Sequence, residues 1–298
     1  MTPPALSPAP PTAPSPTSLT VAAQMLALLE ALAAQVRLPR VQALHLPPAP
    51  PPGGERGEFC ALALEGGALG QSYVLLDDTW RRLDAAARSA AGLGVAGQPA
   101  LELARGFLST DALRRTVGFA AVNALTRWVF DRAGFVPPGS DDSLGGLAPQ
   151  AGDTVGMIGH FAPLLPRLRE RGARVVVVEL RPELVRDDGQ VRVTLDATEL
   201  ATCRQVLATG TLLLNGTLDT MLAHCRAATH IALVGPSVGG PPDPLFARGI
   251  TCLGGSWVTD PDAFVEALRR GEPTRPYARK SVLRPADYPG WSALATTA

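Results

Sequence analysis

The stretch TVGMIGHFAPLLPRLRERGARVVVVEL, residues 154–180, decides the fold. It opens on a short apolar run at 154–158, turns at Gly159 and continues into a segment at 161–171 whose leucines recur at helical spacing. It closes on the run of valines in 174–180. A strand, a helix and a second strand in this order form the βαβ unit of a parallel sheet. Valines without polar alternation are what a strand covered on both faces requires.

The same alternation runs on downstream. Strands are predicted at 204–209, 230–235 and 249–254, with helices at 216–228 and 261–270 and a short turn or helix at 241–247. An irregular stretch is expected at 181–198. Five strands with intervening helices predict a Rossmann-like parallel-sheet domain over 151–272, followed by an irregular, Pro-rich C-terminal tail at 273–298.

Upstream the pattern changes. Residues 1–17 are almost wholly Pro, Ala, Ser and Thr and are expected to be disordered. Ser18 is the expected cap of a helix over 19–36, and 47–54 (PPAPPPGG) reads as a linker. Apolar runs at 59–64 and 71–76 flank the turn EGGALG and predict a hairpin. Helices follow at 77–91, 101–108 and 112–132, the last opened by Thr110 and Asp111. The fold class is therefore α/β, with an N-terminal α+β domain over 18–150 ahead of the parallel sheet.

Composition narrows the function. The chain has 298 residues, 46% of them hydrophobic, which is an ordinary globular load. Its 27 basic and 27 acidic side chains cancel, which argues against a nucleic-acid backbone or an anionic membrane surface as partner. No apolar run reaches the length of a transmembrane helix and no secretory signal pattern is present, so a cytoplasmic location is expected. Cys60, Cys203, Cys225 and Cys252 are scattered without a CxxC pair, which fits a reducing compartment and argues against a zinc ribbon. A two-fold homodimer fits a protein of this size, although no interface can be read.

In open parallel sheets, ligands bind beyond the carboxyl ends of the strands. The small and polar residues of the second half fall there. Gly159, His160 and Phe161 follow the first strand, and Glu179 ends the second. Thr209, Gly210 and Thr211, then Asn215 and Thr217, follow the third. Gly235, Pro236 and Ser237 follow the fourth, and Gly254 and Gly255 the fifth. Glycines admit close approach of a ligand, and hydroxyls, amides and free N–H groups supply hydrogen bonds. The same residues also serve ordinary βα turns and helix caps.

The strings VGMIGHFAPLLPRL, LATGTLLLNGTLDTML, IALVGPSVGGPPDPLFARGI and LGGSWVTDPD, with the acid after RVVVV, resemble the "Putative heavy-metal chelation" family of prokaryotic proteins. GQSYVLL and GFAAVNAL resemble, more weakly, the domain that precedes it in that family. The resemblance implies an enolase N-terminal-like domain, a Rossmann-like domain and a site in the cleft between them. It implies a metal or metal-chelate ligand and a role in heavy-metal chelation. The long Pro/Ala tail and the lengthened 181–198 stretch depart from the family pattern.

Two functions follow. In the first, the cleft holds a small anionic ligand or a metal chelate. His160 and Glu179 then serve as ligands to a divalent heavy metal and the loop amides cradle the anion. In the second, an enzyme acts on a small organic substrate, with His160 as acid or base. GMIG is not GxGxxG, which lowers a dinucleotide version of that enzyme. Glu179 also reads as a solvated strand-end carboxylate. Adjacent His224 and Cys225 point about 100° apart on a helix and cannot chelate one ion together. Asn123, amid apolar neighbours, needs a partner inside its own domain or across the cleft. Glu65, in the Gly-rich turn, is expected to be exposed.

Overall fold

The computed structural model describes residues 19–49, 58–90 and 92–297. The expected N-terminal tail, the Ser18 cap and most of the 47–54 linker lie outside these residues. Helix α1 (Val21–Ala33) is capped by Thr20, whose hydroxyl accepts from the Ala23 amide at 3.3 Å. Three antiparallel strands follow, β1 (Val41–His45), β2 (Phe59–Leu64) and β3 (Leu69–Tyr73), in the order β1-β2-β3. The predicted hairpin is β2–β3. β1 is an addition that the sequence pattern did not announce, since its VQALH has little alternation.

Helices α2 (Thr79–Arg88) and α3 (Ala100–Ala104) lead through a 3-10 turn at Arg105–Leu108 to the long helix α4 (Ala112–Arg132). Asp111 caps α4 by accepting from the Arg114 amide at 2.9 Å. α4 lies backbone-close against β3. A Cβ on Gly70 would stand 2.2 Å from Ala120 O and Ala124 N, and a Cβ on Gly118 would stand 2.1 Å from Phe107 N.

The second sheet carries β4 (Thr154–Ile158), β5 (Arg174–Val178), β6 (Arg186–Asp187), β7 (Val191–Thr194), β8 (Gln205–Thr209), β9 (His230–Val234), β10 (Cys252–Val258) and β11 (Ala278–Leu283). Their order is β11-β10-β9-β8-β4-β5-β7-β6. The six strands from β10 to β7 are parallel, and β11 and β6 close the two edges antiparallel. The strand order reverses beside β4, between β4 and β8. Helices α5 (Leu165–Glu170), α6 (Thr211–Asn215), α7 (Leu218–His224), α8 (Asp243–Phe246), α9 (Pro261–Arg270) and α10 (Trp291–Thr297) follow its strands along the chain.

Four expectations change. The 161–171 helix begins only at Leu165, after a 3-10 turn at Ala162–Leu164, because Pro163 and Pro166 remove amide donors from its first turns. The 216–228 helix is two short helices. α6 starts directly after β8, and Gly216 ends it in the left-handed region (φ 73°). The irregular 181–198 stretch contains the β6–β7 hairpin. The C-terminal tail is no tail: β11 runs in register with β10 from Leu253↔Leu283 to Val258↔Ala278, and Trp291 and Leu294 of α10 are buried.

The core joins the two sheets. Along β2 the side chains alternate, with Cys60, Leu62 and Leu64 in a large cluster with α1 and α4, and Ala61 and Ala63 with Phe264 and Leu268 of α9. The large cluster continues into Val206, Ala208 and Leu233 of the parallel sheet. The opposite face of that sheet, with Val155, Met157, Val175 and Val177, packs under α5. Among the described residues no helix is long and apolar enough to cross a membrane.

Candidate functional site

A cleft lies where α4 and β3 face the ends of β9, β10 and β11. α4 presents Asn123, Thr126, Arg127 and Phe130 to it, the i, i+3, i+4, i+7 stripe of one helix face. β3 contributes Gln71, the loop after β9 contributes Pro236 and Ser237, and β10–β11 contribute Gly255, Trp257 and Ser281.

Asn123 pins the walls together. Its amide nitrogen donates to Gln71 O at 2.8 Å on β3 and to Ser237 O at 3.0 Å on the loop after β9. Both amide hydrogens are thus spent on carbonyls, which fixes the amide's orientation. Its Oδ1 is buried with no partner among the described residues, and it lies 2.8 Å from where a Cβ on Gly239 would stand. Glycine at 239 is what leaves room for the amide.

Arg127 is the cation of the cleft. Its Nε donates to both carboxylate oxygens of Asp131 at 2.8 and 2.9 Å, and its Nη1 donates to Val258 O at 3.0 Å. The guanidinium stacks 3.7 Å from the centroid of Trp257. Asp131 is 41% exposed, so solvent screens much of its compensation. Nη2 of Arg127 has no acceptor among the described residues. The described residues that line the cleft include no Asp, Glu, His or Cys.

The fourteen residues predicted at the strand ends do not converge on one place. Pro236, Ser237 and Gly255 line the cleft. Gly235 and Gly254 sit directly behind them, with the Gly235 amide donating to Gly254 O at 2.9 Å. Gly210 supports the same loop. Its amide donates to Val234 O, and a Cβ there would stand 2.5 Å from Val238.

The others lie outside the cleft. Thr209 and Thr211 share a hydroxyl–hydroxyl hydrogen bond of 3.0 Å. Asn215 accepts from the amide and hydroxyl of Thr217 at 3.1 and 2.6 Å, which is local turn chemistry. Asn215 ends α6 and does not cap the helix that follows. Gly159 (φ +89°) meets Thr209 at the reversal of strand order, where an added Cβ would stand 3.0 Å from the Thr209 methyl. Phe161 packs on the cluster under α5. Nη2 of Arg186, in the unexpected hairpin, lies 3.3 Å from Nε2 of His160. Arginine only donates, so this contact occupies the Nε2 lone pair that a metal would need. Glu179 accepts from the Leu180 amide at 3.2 Å and faces Arg181 Nε at 4.0 Å.

Sequence reasoning missed Gln71, Arg127, Trp257 and Ser281. The i, i+4 pair Asn123–Arg127 inside an apolar helix was a usable signal. The pairing of α4 with β10 was not, because it joins residues 131 positions apart.

The chain matches two family models that share the description "Putative heavy-metal chelation", over residues 146–286 and 58–126. The chain belongs to this family. A crystal structure of a family protein of unknown function from Desulfitobacterium hafniense has the same fold, with TM-score 0.63 and 18% identity, covering 88% of this chain and 98% of that one. One from Pyrococcus horikoshii has TM-score 0.60 and 20% identity over 89% and 98%. An uncharacterized protein of Methanocaldococcus jannaschii is 29% identical over 155 residues, which is 52% of this chain and 58% of that relative.

The family description raises the question of metal donors. Among the described residues no three His, Cys, Asp or Glu side chains are grouped to hold a metal ion. The four thiols are free but buried, and desolvation pushes Cys60 up to about 12 and Cys225 up to about 11. A protonated thiol in an apolar core is no metal ligand. The side chains around the cleft therefore do not fit a bare heavy-metal ion.

Proposed function

We propose that the cleft between α4–β3 and the ends of β9–β11 binds a small organic anion, free or as the chelate of a divalent heavy metal. Through that ligand the protein serves heavy-metal handling in the cytoplasm. The observation that carries this reading is the chemistry of the lining: one guanidinium, hydroxyls, amides and an indole, with no described carboxylate, imidazole or thiol. Such a set attracts an anion and offers a bare cation nothing. The metal then arrives already coordinated, and the protein recognises the organic shell.

The test is a thermal-shift panel on the full chain with nickel alone, molybdate, citrate and nickel–citrate. A ligand at 100 times its dissociation constant adds about 2.7 kcal/mol to stability. The expected result is a shift with citrate or nickel–citrate and none with nickel alone. Arg127→Gln, which removes the guanidinium of the cleft, abolishes that shift. A shift with nickel alone that survives Arg127→Gln overturns the reading.

A second reading has an observation of its own. The loops after β4 and β8 touch at Gly159 and Thr209, where strand order reverses, and His160 follows directly. An enzyme working there would use His160 as acid or base and would ignore Arg127→Gln. His160→Ala separates the two: it spares a cleft ligand and removes a ligand or activity at the strand reversal.

A further inference from the structure

Five polar side chains at the cleft are more than nine-tenths buried, three of them outside α4: Gln71 of β3, Ser237 of the loop after β9 and Ser281 of β11. None of the three has a side-chain hydrogen-bond partner among the described residues. Polar groups set into apolar surroundings without a partner cost stability, and Val or Leu would pack such positions better. The three come from three separate elements, yet they meet at one cavity. Asn123 fixes two of them, because it donates to the backbone carbonyls of Gln71 and Ser237 together. It acts as a positioning residue. Around this polar group stand the apolar walls Leu69, Phe130 and Leu253, and to one side the Arg127–Trp257 pair.

We infer that the cleft selects a hydroxy- or amino-carboxylate with an apolar or aromatic body. Its carboxylate lies toward Arg127, and its O–H or N–H is read by Gln71, Ser237 and Ser281. The inference rests on the cleft reading above and adds the ligand's class to it. The carboxylate supplies the charge that Nη2 of Arg127 lacks, the carbon body covers the apolar walls, and the neighbouring donor answers the amide oxygen and the hydroxyls. Hydroxy- and amino-carboxylates also chelate divalent metals through these same two groups, so one class of compound serves both the free and the metal-bound forms of the ligand.

The experiment is calorimetric titration of the full chain with 3-phenyllactate, phenylalanine and 3-phenylpropanoate. The last has the same acid and ring without the hydroxyl or amino group. A site with buried hydrogen-bonding groups rejects the analogue that leaves them unpaired, so at least one donor-bearing acid binds roughly tenfold or more tighter than 3-phenylpropanoate. Gln71→Leu removes that preference, and Ser281→Ala reduces it in a milder variant. Arg127→Gln weakens all three acids alike and leaves the preference in place.

Equal affinity for 3-phenyllactate, phenylalanine and 3-phenylpropanoate overturns the inference. So does a preference that both Gln71→Leu and Ser281→Ala leave intact, or no binding of any of the three. The cleft reading is judged separately. If the acids bind equally and Arg127→Gln weakens their binding, the cleft stands and its selectivity for a donor falls.

Discussion

Asn123 shows what a single buried amide does in this chain. It sits mid-helix in an apolar run, and its two donated hydrogen bonds reach two different elements. Asn123→Ala leaves two buried carbonyls unpaired and lowers stability by roughly 2–4 kcal/mol, read as a shift of the urea midpoint. If that variant unfolds at the wild-type midpoint, the amide is not the brace described. The four cysteines make a second case. Burial raises Cys60, Cys203, Cys225 and Cys252 above their ordinary value of 9.0. A thiol that holds its proton more tightly when folded stabilises the fold fully below pH 9 and loses that contribution as pH rises toward 11–12. At pH 8 a thiol reagent should therefore leave all four unmodified until denaturant is added. His45 works in the opposite direction. Burial first, then the charge of Arg269, lowers its pKa from 6.5. Its contribution is present above 6.5 and is lost as pH falls below it, and His45→Gln should flatten that part of the urea midpoint's pH profile.

At the scale of elements, the contact between α4 and β3 depends on missing side chains. Gly70→Ala places a Cβ 2.2 Å from backbone atoms of α4, and backbone cannot step aside as a side chain can. We expect a loss of roughly 3 kcal/mol, with the midpoint temperature falling by about 2–4 °C for each kcal/mol. An unchanged midpoint would show that α4 can move off the sheet. The C-terminal elements offer a similar test. Tyr288 donates its hydroxyl to Asp243 at 2.7 Å, and Trp291 is 3% exposed. Trp291→Ala should cost about 3–5 kcal/mol, as large buried aromatics do. Truncation before β11 strips the antiparallel partner from all of β10's Leu253–Val258 edge and should prevent folding. A stable truncated chain, seen by circular dichroism, would restore the view of 273–298 as a tail.

For the molecule as a whole, the shared core predicts one cooperative transition. The large apolar cluster includes α1, β2 and α4 on one side and β8, β9 and α10 on the other. Arg248 adds a polar link, donating to Gln24 Oε1 at 2.6 Å and to Leu19 O at 2.9 Å. Unfolding followed by tryptophan fluorescence and by circular dichroism should coincide. Separated transitions would show two independently stable halves. The isolated 151–272 fragment should expose Leu253 and Val238 and bind a hydrophobic dye.

The sequence by itself determined the parallel sheet, the β2–β3 hairpin and the span of α4. Each rests on local periodicity, a valine run, or a capping residue such as Asp111, and such signals act within a few residues. It also placed Pro236, Ser237 and Gly255 at a strand-end edge. Only the tertiary structure decided which of the strand-end loops face a cleft. It separated His160 and Glu179 from that cleft and recruited Gln71, Arg127 and Ser281 to it. It also turned an apparently irregular tail into the edge strand β11. These outcomes depend on pairings between residues more than a hundred positions apart, such as Arg127 with Val258 and Asn123 with Ser237. No local pattern carries that information, because burial and hydrogen-bond satisfaction are settled only when distant segments meet.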